Sequence, residues 1–292
     1  MNKKVAVVTG AAGIVGPSIC QALRRHGWLV AAADLREEDF KFAQRVRNIE
    51  EFWDFRWIGD LRKKESCEGL IDACQTALGE VALLVNNAAF CYREPSLDAL
   101  EEEQALSIFQ INVLAPLWLT AAAQTSLGRT QGCVVNVSSA QTQGWLPENH
   151  LYVASKAALE KLTETLSATL GKDGARCVGI RLGSFPGFQF LSPFLSQLPQ
   201  DAADKMVAEL LPRHLAESEK SIGKSFVGQA GELGDTIAFL ASDAARMVNG
   251  TILSMDGGMT TRPMTWASGY NSLQMAQEWF DNWKKEHETD QS

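Results

Sequence analysis

The sequence has few of the residues that build metal or disulfide sites. Its 292 residues include only four histidines, which are widely separated. Its six cysteines lack the paired spacing of a zinc site and are dispersed at Cys20, Cys67, Cys74, Cys91, Cys133 and Cys177. We therefore expect no metal site, and we expect the cysteines to be buried free thiols in a reducing cytoplasm.

The sequence also lacks a dense basic cluster and a long apolar run. The net charge is −8 with scattered Lys and Arg, which disfavours partners such as nucleic acid or an anionic membrane. No apolar run reaches membrane-spanning length, and the run Val5–Val8 is far too short for the apolar core of a signal sequence. The composition, 46% hydrophobic and 21% charged, is typical of a soluble globular protein with a full core.

Short apolar β-rich runs alternate with helical patterns from Lys4 to Met255. Strands are predicted at 4–9, 28–33, 54–59, 81–85, 132–137, 175–182 and 251–255. Helices are predicted at 17–26, 63–78, 97–127, 152–170 and 232–241. This alternation, without a linker, predicts a single α/β domain of the Rossmann type, a doubly wound seven-stranded parallel sheet flanked by helices.

Two segments depart from that alternation. Residues 183–231 contain four prolines and predict a loop with short helical pieces near 201–211 and 213–220, so that 183–225 forms a substrate lid within a domain spanning 1–258. Residues 259–292 form a C-terminal extension with helical spacing of Leu273, Ala276, Phe280 and Trp283. We expect this helix to pack on the body or on a partner subunit, with a disordered end from about Glu286.

A glycine-rich turn separates the first strand from the first helix. Gly10, Gly13 and Gly16 let the backbone approach a ligand, and the helix that follows presents free N–H groups and a positive dipole. This arrangement predicts a phosphate site.

Two acidic residues follow the next strands. Asp34 ends the second strand, where a carboxylate suits the ribose hydroxyls of an adenosine and repels a 2′-phosphate, so NAD is favoured over NADP. Arg36, two residues later, could instead reach such a phosphate. Asp60 follows the third strand, where it could bind the adenine, cap the next helix, or do both.

Tyr152 and Lys156 are four residues apart, so a helix would place both side chains on one face, one turn apart. A fixed ammonium favours the phenolate and would make the tyrosine a plausible proton donor and acceptor. This spacing is common, and by itself it is better explained by a helix start with an amphipathic tyrosine and a solvated lysine. Its position after the fifth strand and Ser138-Ser139 favours a function.

Taken together, these motifs resemble the short-chain dehydrogenase/reductase family, in its classical-length form, over roughly residues 4–258. The resemblance depends on Thr9-Gly10, Gly13, Gly16, Asp60, Asn86-Asn87-Ala88, Asn112, Asn136-Val137-Ser138-Ser139, Tyr152, Lys156, Phe239-Leu240-Ala241-Ser242-Asp243 and Asp256-Gly257-Gly258.

The resemblance implies that the catalytic set is Asn112, Ser139, Tyr152 and Lys156. Ser139 is chosen over Ser138 because it lies thirteen residues before Tyr152, the usual family spacing. Tyr152 would exchange a proton with the substrate, its pKa lowered by Lys156 and the nicotinamide. Ser139 would bind the substrate oxygen, Lys156 would also hold the nicotinamide ribose, and Asn112 would hold a water linking Lys156 to solvent. The implied cofactor-binding residues are Gly10, Gly13, Ile14, Val15, Asp34, Asp60, Leu61, Asn87, Ala88, Ala89, Tyr152, Lys156, Gly183 and Phe185.

The sequence departs from the family pattern in three places. Its glycine spacing places Gly13 early, with Ile14 where the middle glycine is usual. Ala89 stands where glycine usually follows Asn-Asn-Ala, and the sixth strand contains Gly179 and leads to Gly183, whereas the family often has Asn and then Pro-Gly in this region. The nearby segment Gly183-Ser184-Phe185-Pro186 normally lies near the nicotinamide, so it bears on the substrate site and not on the catalytic set.

The sequence says less about the substrate than about the fold, the cofactor or the catalytic residues. Candidate substrate-binding residues, besides Ser139 and Tyr152, are Arg93, Trp145, His150 and Phe185, with Phe90, Phe188 and Phe190 as further candidate walls. The Gly-Ser-Phe-Pro segment is similar to that of family members acting on polyols, sugars or sugar acids. We therefore expect an NAD-dependent secondary-alcohol dehydrogenase, commonly a homodimer or homotetramer in this family. The alternatives are an NADP-dependent reductase of β-ketoacyl or cyclic ketone groups, and a non-catalytic dinucleotide sensor.

Overall fold

Seven parallel strands form one sheet in the part of the chain that the structure describes. The computed structural model describes residues 3–47, 49–92, 96–143, 149–185, 192–195, 197–222, 228–229, 231–261 and 267–288. The strands are β1 Val5–Thr9, β2 Leu29–Asp34, β3 Phe55–Ile58, β4 Val81–Asn86, β5 Cys133–Ser139, β6 Arg176–Leu182 and β7 Ile252–Met255. Their order, β3-β2-β1-β4-β5-β6-β7, with every pairing parallel, confirms the predicted fold class.

Helices connect successive strands. In the first compact unit, residues 1–183 and 230–255, they are α1 Gly16–Arg25, α2 Glu37–Arg47, α3 Lys64–Leu78, α4 Glu102–Phe109, α5 Ala115–Thr130 and α6 His150–Leu170. The helix preceding β7 comes later in the chain and is numbered α9, Glu232–Leu240. The α3, α5 and α6 helices cover one face of the sheet in a core that includes Leu70, Leu119 and Leu170. The opposite face packs beneath α1 and α9, which also contact each other.

The helix α2 is absent from the sequence-based prediction. Its first turn is acidic, with Glu37, Glu38 and Asp39, which suits the positive end of a helix dipole. Phe40 and Ala43 are buried at the i, i+3 spacing of one helix face. The acidic start and the two apolar residues were the signal for this helix, and they are weak because the rest of the segment is polar.

The predicted helix 97–127 is divided in the structure. A 3₁₀ turn, Leu97–Ala99, precedes α4, and a π-helical turn, Gln110–Leu114, separates α4 from α5. The stretch Glu102–Thr130 has the length and the mean hydropathy, 1.5, of a membrane-crossing helix, although the sequence shows no continuous apolar run. Its Leu119 and Leu127 lie in the core against the sheet, which explains the apolar composition.

A second compact unit comprises residues 184–229 and 256–292. It contains α7 Ser192–Leu195, α8 Gln200–Ile222 and α10 Ala267–Glu288. Ala276 and Phe280 of α10 are buried against Phe194, Met206 and Leu210, as the helical spacing in the extension predicts. The division into a domain at 1–258 and an extension, and the lid role of 183–225, stay predictions.

Two details of this unit differ from the prediction. The helix α8 is continuous through Pro212, where two pieces were expected. Proline costs about 3 kcal/mol inside a helix, whereas burying a large apolar side chain yields about 1.5–3 kcal/mol. Met206 and Leu210 are both buried, so their packing offsets the cost of Pro212. The helix α10 also continues to Glu288, beyond the residue at which disorder was expected.

Candidate active site

The carboxyl ends of β1 and β4 lie at the point where the strand order reverses. β1 pairs with β2 on one side and with β4 on the other. In open parallel sheets, the connections on the two sides of such a point diverge and leave a crevice that receives ligands. The predicted site residues follow these strand ends.

The glycine turn is packed tightly against the end of β4. Gly10 has φ +61°, and a Cβ atom there would lie 2.7 Å from Ala88 Cα. A Cβ atom on Gly16 would lie 2.3 Å from Gly10 O. Both positions therefore require glycine, the first for its backbone conformation as well as for space.

The start of α1 fits an anionic group. Val15 is the N-cap residue and makes no side-chain cap, and the first turn contains no acidic residue. The backbone N–H groups and the positive dipole at this end suit a pyrophosphate. Asp34 supports the turn from β2, because its Oδ2 accepts a hydrogen bond from Ala12 N at 2.8 Å. The residues present therefore fit the phosphates of a dinucleotide.

The environment of Asp34 bears on the choice between NAD and NADP. Its Oδ1 accepts a second backbone hydrogen bond, from Leu35 N at 2.8 Å. Burial raises the pKa of its carboxyl, and these two hydrogen bonds oppose that rise. Arg36 is paired with Asp39 through two hydrogen bonds, of 2.8 and 3.2 Å. Arg36, which lies just before α2, is thus bound to Asp39 in the first turn of that helix.

Asp60 and Leu61 have partners that were not predicted. The Asp60 carboxylate binds the Arg62 guanidinium, and Lys63 is the N-cap of α3, so the prediction that Asp60 caps this helix is wrong. The Leu61 side chain is buried in the core and its carbonyl accepts from the Cys67 thiol at 3.4 Å. The roles of Asp60 and Leu61 in binding a cofactor stay predictions.

Asn87 joins the end of β4 to the glycine turn. Its Nδ2 donates to Thr9 O at 3.0 Å and to Gly10 O at 2.9 Å. Thr9 Oγ1 in turn accepts from the backbone N–H groups of Asn87 and Ala88, both at 3.1 Å. The structure therefore brings Asn87 and Ala88 beside the glycine turn, and Ala89 follows them in an exposed position.

Ser139, Tyr152 and Lys156 lie together at the end of β5. Tyr152 and Ser139 are joined by a side-chain hydrogen bond. Lys156 Nζ lies 5.8 Å from the centroid of the Tyr152 ring and donates to Val137 O at 2.8 Å. Ser139 Oγ accepts from Gln141 N at 3.2 Å, which leaves its own hydrogen to donate. A proton donor, a hydroxyl and an ammonium thus share one buried corner.

The pKa values in this corner are determined by burial. Burial lowers the pKa of Lys156 to about 8, and the nearby Cys91 opposes that effect. Burial raises the pKa of Tyr152, as does Cys91, and the hydrogen bond from Ser139 opposes the rise. The lowering of the Tyr152 pKa that the resemblance implies belongs to the complex with the oxidised nicotinamide and stays a prediction. In the chain alone, desolvation of the phenolate is the largest influence and raises that pKa.

Asn112 lies at the centre of the π-helical turn and is fully buried. Its Oδ1 accepts from Phe90 N at 2.8 Å, and its Nδ2 donates to Phe90 O and to Ser155 Oγ, both at 2.9 Å. Both amide hydrogens are therefore used within the protein. Asn112 holds the segment after β4 against α6, and a water could reach only the remaining lone pair of Oδ1.

Two residues of this region were not identified from the sequence as site residues. Ser155 donates to Tyr152 O at 2.7 Å while it accepts from Asn112. The Cys91 thiol donates to Asn149 Oδ1 at 3.2 Å and is close enough to affect both Tyr152 and Lys156 electrostatically. The only sequence signal for Cys91 was its place in the segment after β4, and Ser155 had none beyond its position between the tyrosine and the lysine.

The predicted substrate-binding residues are placed only in part. His150 is the first residue of α6 and is exposed, and Phe90 is partly buried beside Asn112. Gly183 N donates to Met255 O at 2.9 Å at the end of β6. Phe185 belongs to the second unit, where its ring packs against Gly228. The remaining candidates lie outside the described residues: Arg93, Trp145, Phe188 and Phe190.

Comparison with known families supports the geometry. Residues 4–187 match the family model described as short chain dehydrogenase. Residues 192–260 match the model described as enoyl-(acyl carrier protein) reductase. Together these matches cover most of the chain.

Individual relatives have similar lengths. The chain is 30% identical over 263 residues to a 4-formylbenzenesulfonate dehydrogenase of Comamonas testosteroni, covering 88% of this chain and 98% of that protein. It is 28% identical over 260 residues to a cis-4-hydroxycyclohexanecarboxylate dehydrogenase of Sinomonas cyclohexanicum, covering 88% and 97%. A solved structure described as a short-chain alcohol dehydrogenase from Sinorhizobium meliloti superposes with a TM-score of 0.73 at 26% identity, covering 90% and 98%.

Proposed function

The chain belongs to the short-chain dehydrogenase/reductase family and is an oxidoreductase, and we propose that it interconverts a secondary alcohol and a ketone with NAD. The observation that carries this proposal is the buried corner of Ser139, Tyr152 and Lys156. Enzymes of this family use NAD or NADP, act on small molecules and are commonly oligomeric. An intact corner of this kind favours catalysis over a dinucleotide sensor.

The nicotinamide, when bound, supplies the hydride acceptor or donor. In the oxidation direction Tyr152 removes the alcohol proton as a phenolate, and in reduction its hydroxyl returns that proton. The hydrogen of Ser139 Oγ is donated to the substrate oxygen and stabilises negative charge there. Lys156 would hold the nicotinamide ribose, and the glycine turn would hold the pyrophosphate.

The proton chemistry requires a pKa of Tyr152 lower than that in the chain alone. Burial raises it, so a positive charge must be supplied beside the phenol during oxidation. We assign that charge to the oxidised nicotinamide together with Lys156. On this proposal Tyr152 acts as the base in the complex with NAD.

The test of catalysis is Tyr152→Phe, which removes one hydroxyl and keeps the ring. We expect turnover to fall by at least about 1000-fold, which combines the loss of acid–base catalysis with a displaced proton path. NAD binding, measured by quenching of protein fluorescence, should stay within about threefold of the wild type, because the phosphate and ribose contacts remain. A Tyr152→Phe variant with a turnover close to that of the wild type would contradict the proposed mechanism.

The preference for NAD rests on Asp34 and on the pairing of Arg36 with Asp39. Asp34→Asn keeps an acceptor for Ala12 N but removes the charge that repels a 2′-phosphate. We expect the ratio of kcat/KM for NAD to that for NADP to fall by about tenfold or more, equivalent to about 1.4 kcal/mol of lost repulsion. The matched variant Asp39→Asn releases Arg36 and should raise NADP use without weakening NAD. A wild type that prefers NADP contradicts this part of the proposal.

For the substrate we propose a polyol, sugar or sugar acid, by the likeness of the segment 183–186 to that of family members acting on such compounds. The second candidate is a cyclic alcohol, which the similarity to the Sinomonas cyclohexanicum dehydrogenase favours. A panel of sorbitol, myo-inositol, glucose, glucuronate and 4-hydroxycyclohexanecarboxylate, assayed by absorbance of the reduced nicotinamide, separates the two. Faster oxidation of the cyclohexane acid than of every sugar would reject the first candidate.

The assembly and compartment are also proposals. We propose a homodimer or homotetramer that pairs through the helices bearing Asn112 and Tyr152, where Leu106 and Phe109 of α4 expose apolar surface. Light scattering of Leu106→Glu against the wild type tests it, with a smaller particle expected. We propose the cytoplasm as the compartment, since the six cysteines, all within the described residues, form no disulfide.

A further inference from the structure

A largely enclosed ion pair lies beside the catalytic corner. Arg181 of β6 donates to Glu160 of α6 from Nη2 to Oε2 at 2.6 Å and from Nε to Oε1 at 3.0 Å. Only 16% and 12% of the two side chains are exposed. Enclosing such a pair carries a desolvation cost that offsets much of its attraction, so the pair is weak evidence of added stability. The contacts that the pair makes in the site are therefore a better guide to its role.

The Glu160 carboxylate holds both sides of the turn that carries Ser139. Ser138 Oγ donates to Glu160 Oε1 at 2.8 Å, and Thr142 Oγ1 donates to the same oxygen at 2.8 Å. Arg181 Nε also donates to Thr142 Oγ1 at 3.0 Å. Although burial raises the pKa of Glu160, hydrogen bonds from these three residues hold it below its ordinary value, so the group is an anion.

The same face of α6 carries the acid–base pair. Tyr152, Lys156 and Glu160 follow each other at intervals of four residues, so they line one side of the helix. Lys156 donates to Val137 O, the backbone acceptor just before Ser138. The end of β5 is therefore attached to α6 on both sides of Ser139. Lys156 and Glu160 bind the residues before Ser139, and Glu160 also binds Thr142 after it.

We propose that Glu160 and Arg181 are a positioning pair, which fixes the Ser139 hydroxyl relative to Tyr152. The inference rests on the proposed function, because it assigns Ser139 to the substrate oxygen. Neither charged side chain touches the reacting atoms in this role. Their effect acts through the turn 138–142, and a displacement of Ser139 by about 1 Å is enough to slow a reaction about 100-fold.

Two substitutions loosen the turn with little change in shape. Thr142→Val removes one hydroxyl from the network, and Glu160→Gln removes the charge that binds Ser138 and Thr142 together. The matched control is Ser254→Ala, since Ser254 of β7 also accepts a hydrogen bond from Arg181, at 3.4 Å, and lies on a different strand from the turn. Melting temperatures of the three variants, measured with NAD present, confirm that each is folded.

We expect kcat to fall about 10- to 100-fold in Thr142→Val and Glu160→Gln. The KM for the substrate and the Kd for NADH should change less than about threefold, because the binding contacts remain. Hydrogen–deuterium exchange of residues 138–143 should accelerate in both variants. Ser254→Ala should match the wild type in every measurement. A purely structural role would lower the melting temperature and leave the kcat of the folded enzyme unchanged.

The outcomes separate this inference from the proposed function. Turnover is measured with the alcohol of the panel above that the wild type oxidises fastest. A wild type that oxidises none of them, or a fully active Tyr152→Phe, overturns the proposed function. An inactive Tyr152→Phe alongside unchanged kcat and unchanged exchange in Thr142→Val and Glu160→Gln overturns the positioning role alone.

Discussion

The pH dependence of stability can measure how much the burial of the charged Lys156 side chain destabilises the folded protein. Its side chain is among the largest that are fully enclosed, and burial lowers its pKa from 10.5 to about 8. A base whose pKa is lower in the folded state binds its proton more weakly there than in the unfolded chain. Below pH 8 the charged lysine therefore destabilises the fold, by about 3 kcal/mol for this difference in pKa.

The destabilisation is relieved as the pH rises from about 8 towards 10.5, because the folded lysine becomes neutral while the unfolded one stays charged. We expect the free energy of unfolding of the wild type to increase by about 2 kcal/mol relative to Lys156→Met between pH 7 and pH 9.5. Constant effects of the substitution, such as the lost hydrogen bond to Val137 O, cancel in this comparison.

Urea denaturation at a series of pH values measures the difference, with each curve fitted as a two-state transition. Lys161→Met is the matched control, since Lys161 lies on the same helix, is exposed and pairs with Glu164. This control shows how the removal of an exposed lysine changes the pH dependence of the free energy of unfolding. Parallel stability curves for the wild type and Lys156→Met would refute the reasoning that burial determines the pKa in this corner.

Three further outcomes are expected. Asn112→Ala should lower the free energy of unfolding by about 3 kcal/mol, measured by urea denaturation, because it removes the hydrogen-bond partner of the Phe90 backbone N–H and C=O and one of the two hydrogen bonds of Ser155; an effect below about 1 kcal/mol contradicts this. Cys91 should be the first thiol to react with Ellman's reagent in the native protein at pH 8, since the other five are buried, and Cys91→Ser should abolish that phase. Phe280→Ala should lower stability by about 3–5 kcal/mol, seen as a lower melting temperature, because it empties the core between α8 and α10.

Much of the fold follows from local sequence patterns. Each predicted strand differs from the observed one by no more than two residues at either end, because short buried runs between turn residues mark their own limits. The glycine turn is equally local, since its backbone conformation and its place between strand and helix are properties of one short segment. The helix α2 and the continuity of α8 were not predicted, because packing with other parts of the chain stabilises both.

The sequence by itself determined the parallel sheet, the glycine turn at its centre and the spacing that puts Tyr152 and Lys156 on one helix face. Only the tertiary structure decided the chemical environment of those groups. The raised pKa of Tyr152 and the lowered pKa of Lys156 come from burial, which no local pattern reports. The pairing of Glu160 with Arg181 likewise joins a helix to a strand 21 residues later in the chain. Desolvation and long-range hydrogen bonds depend on which distant segments meet, so they are decided when the chain folds.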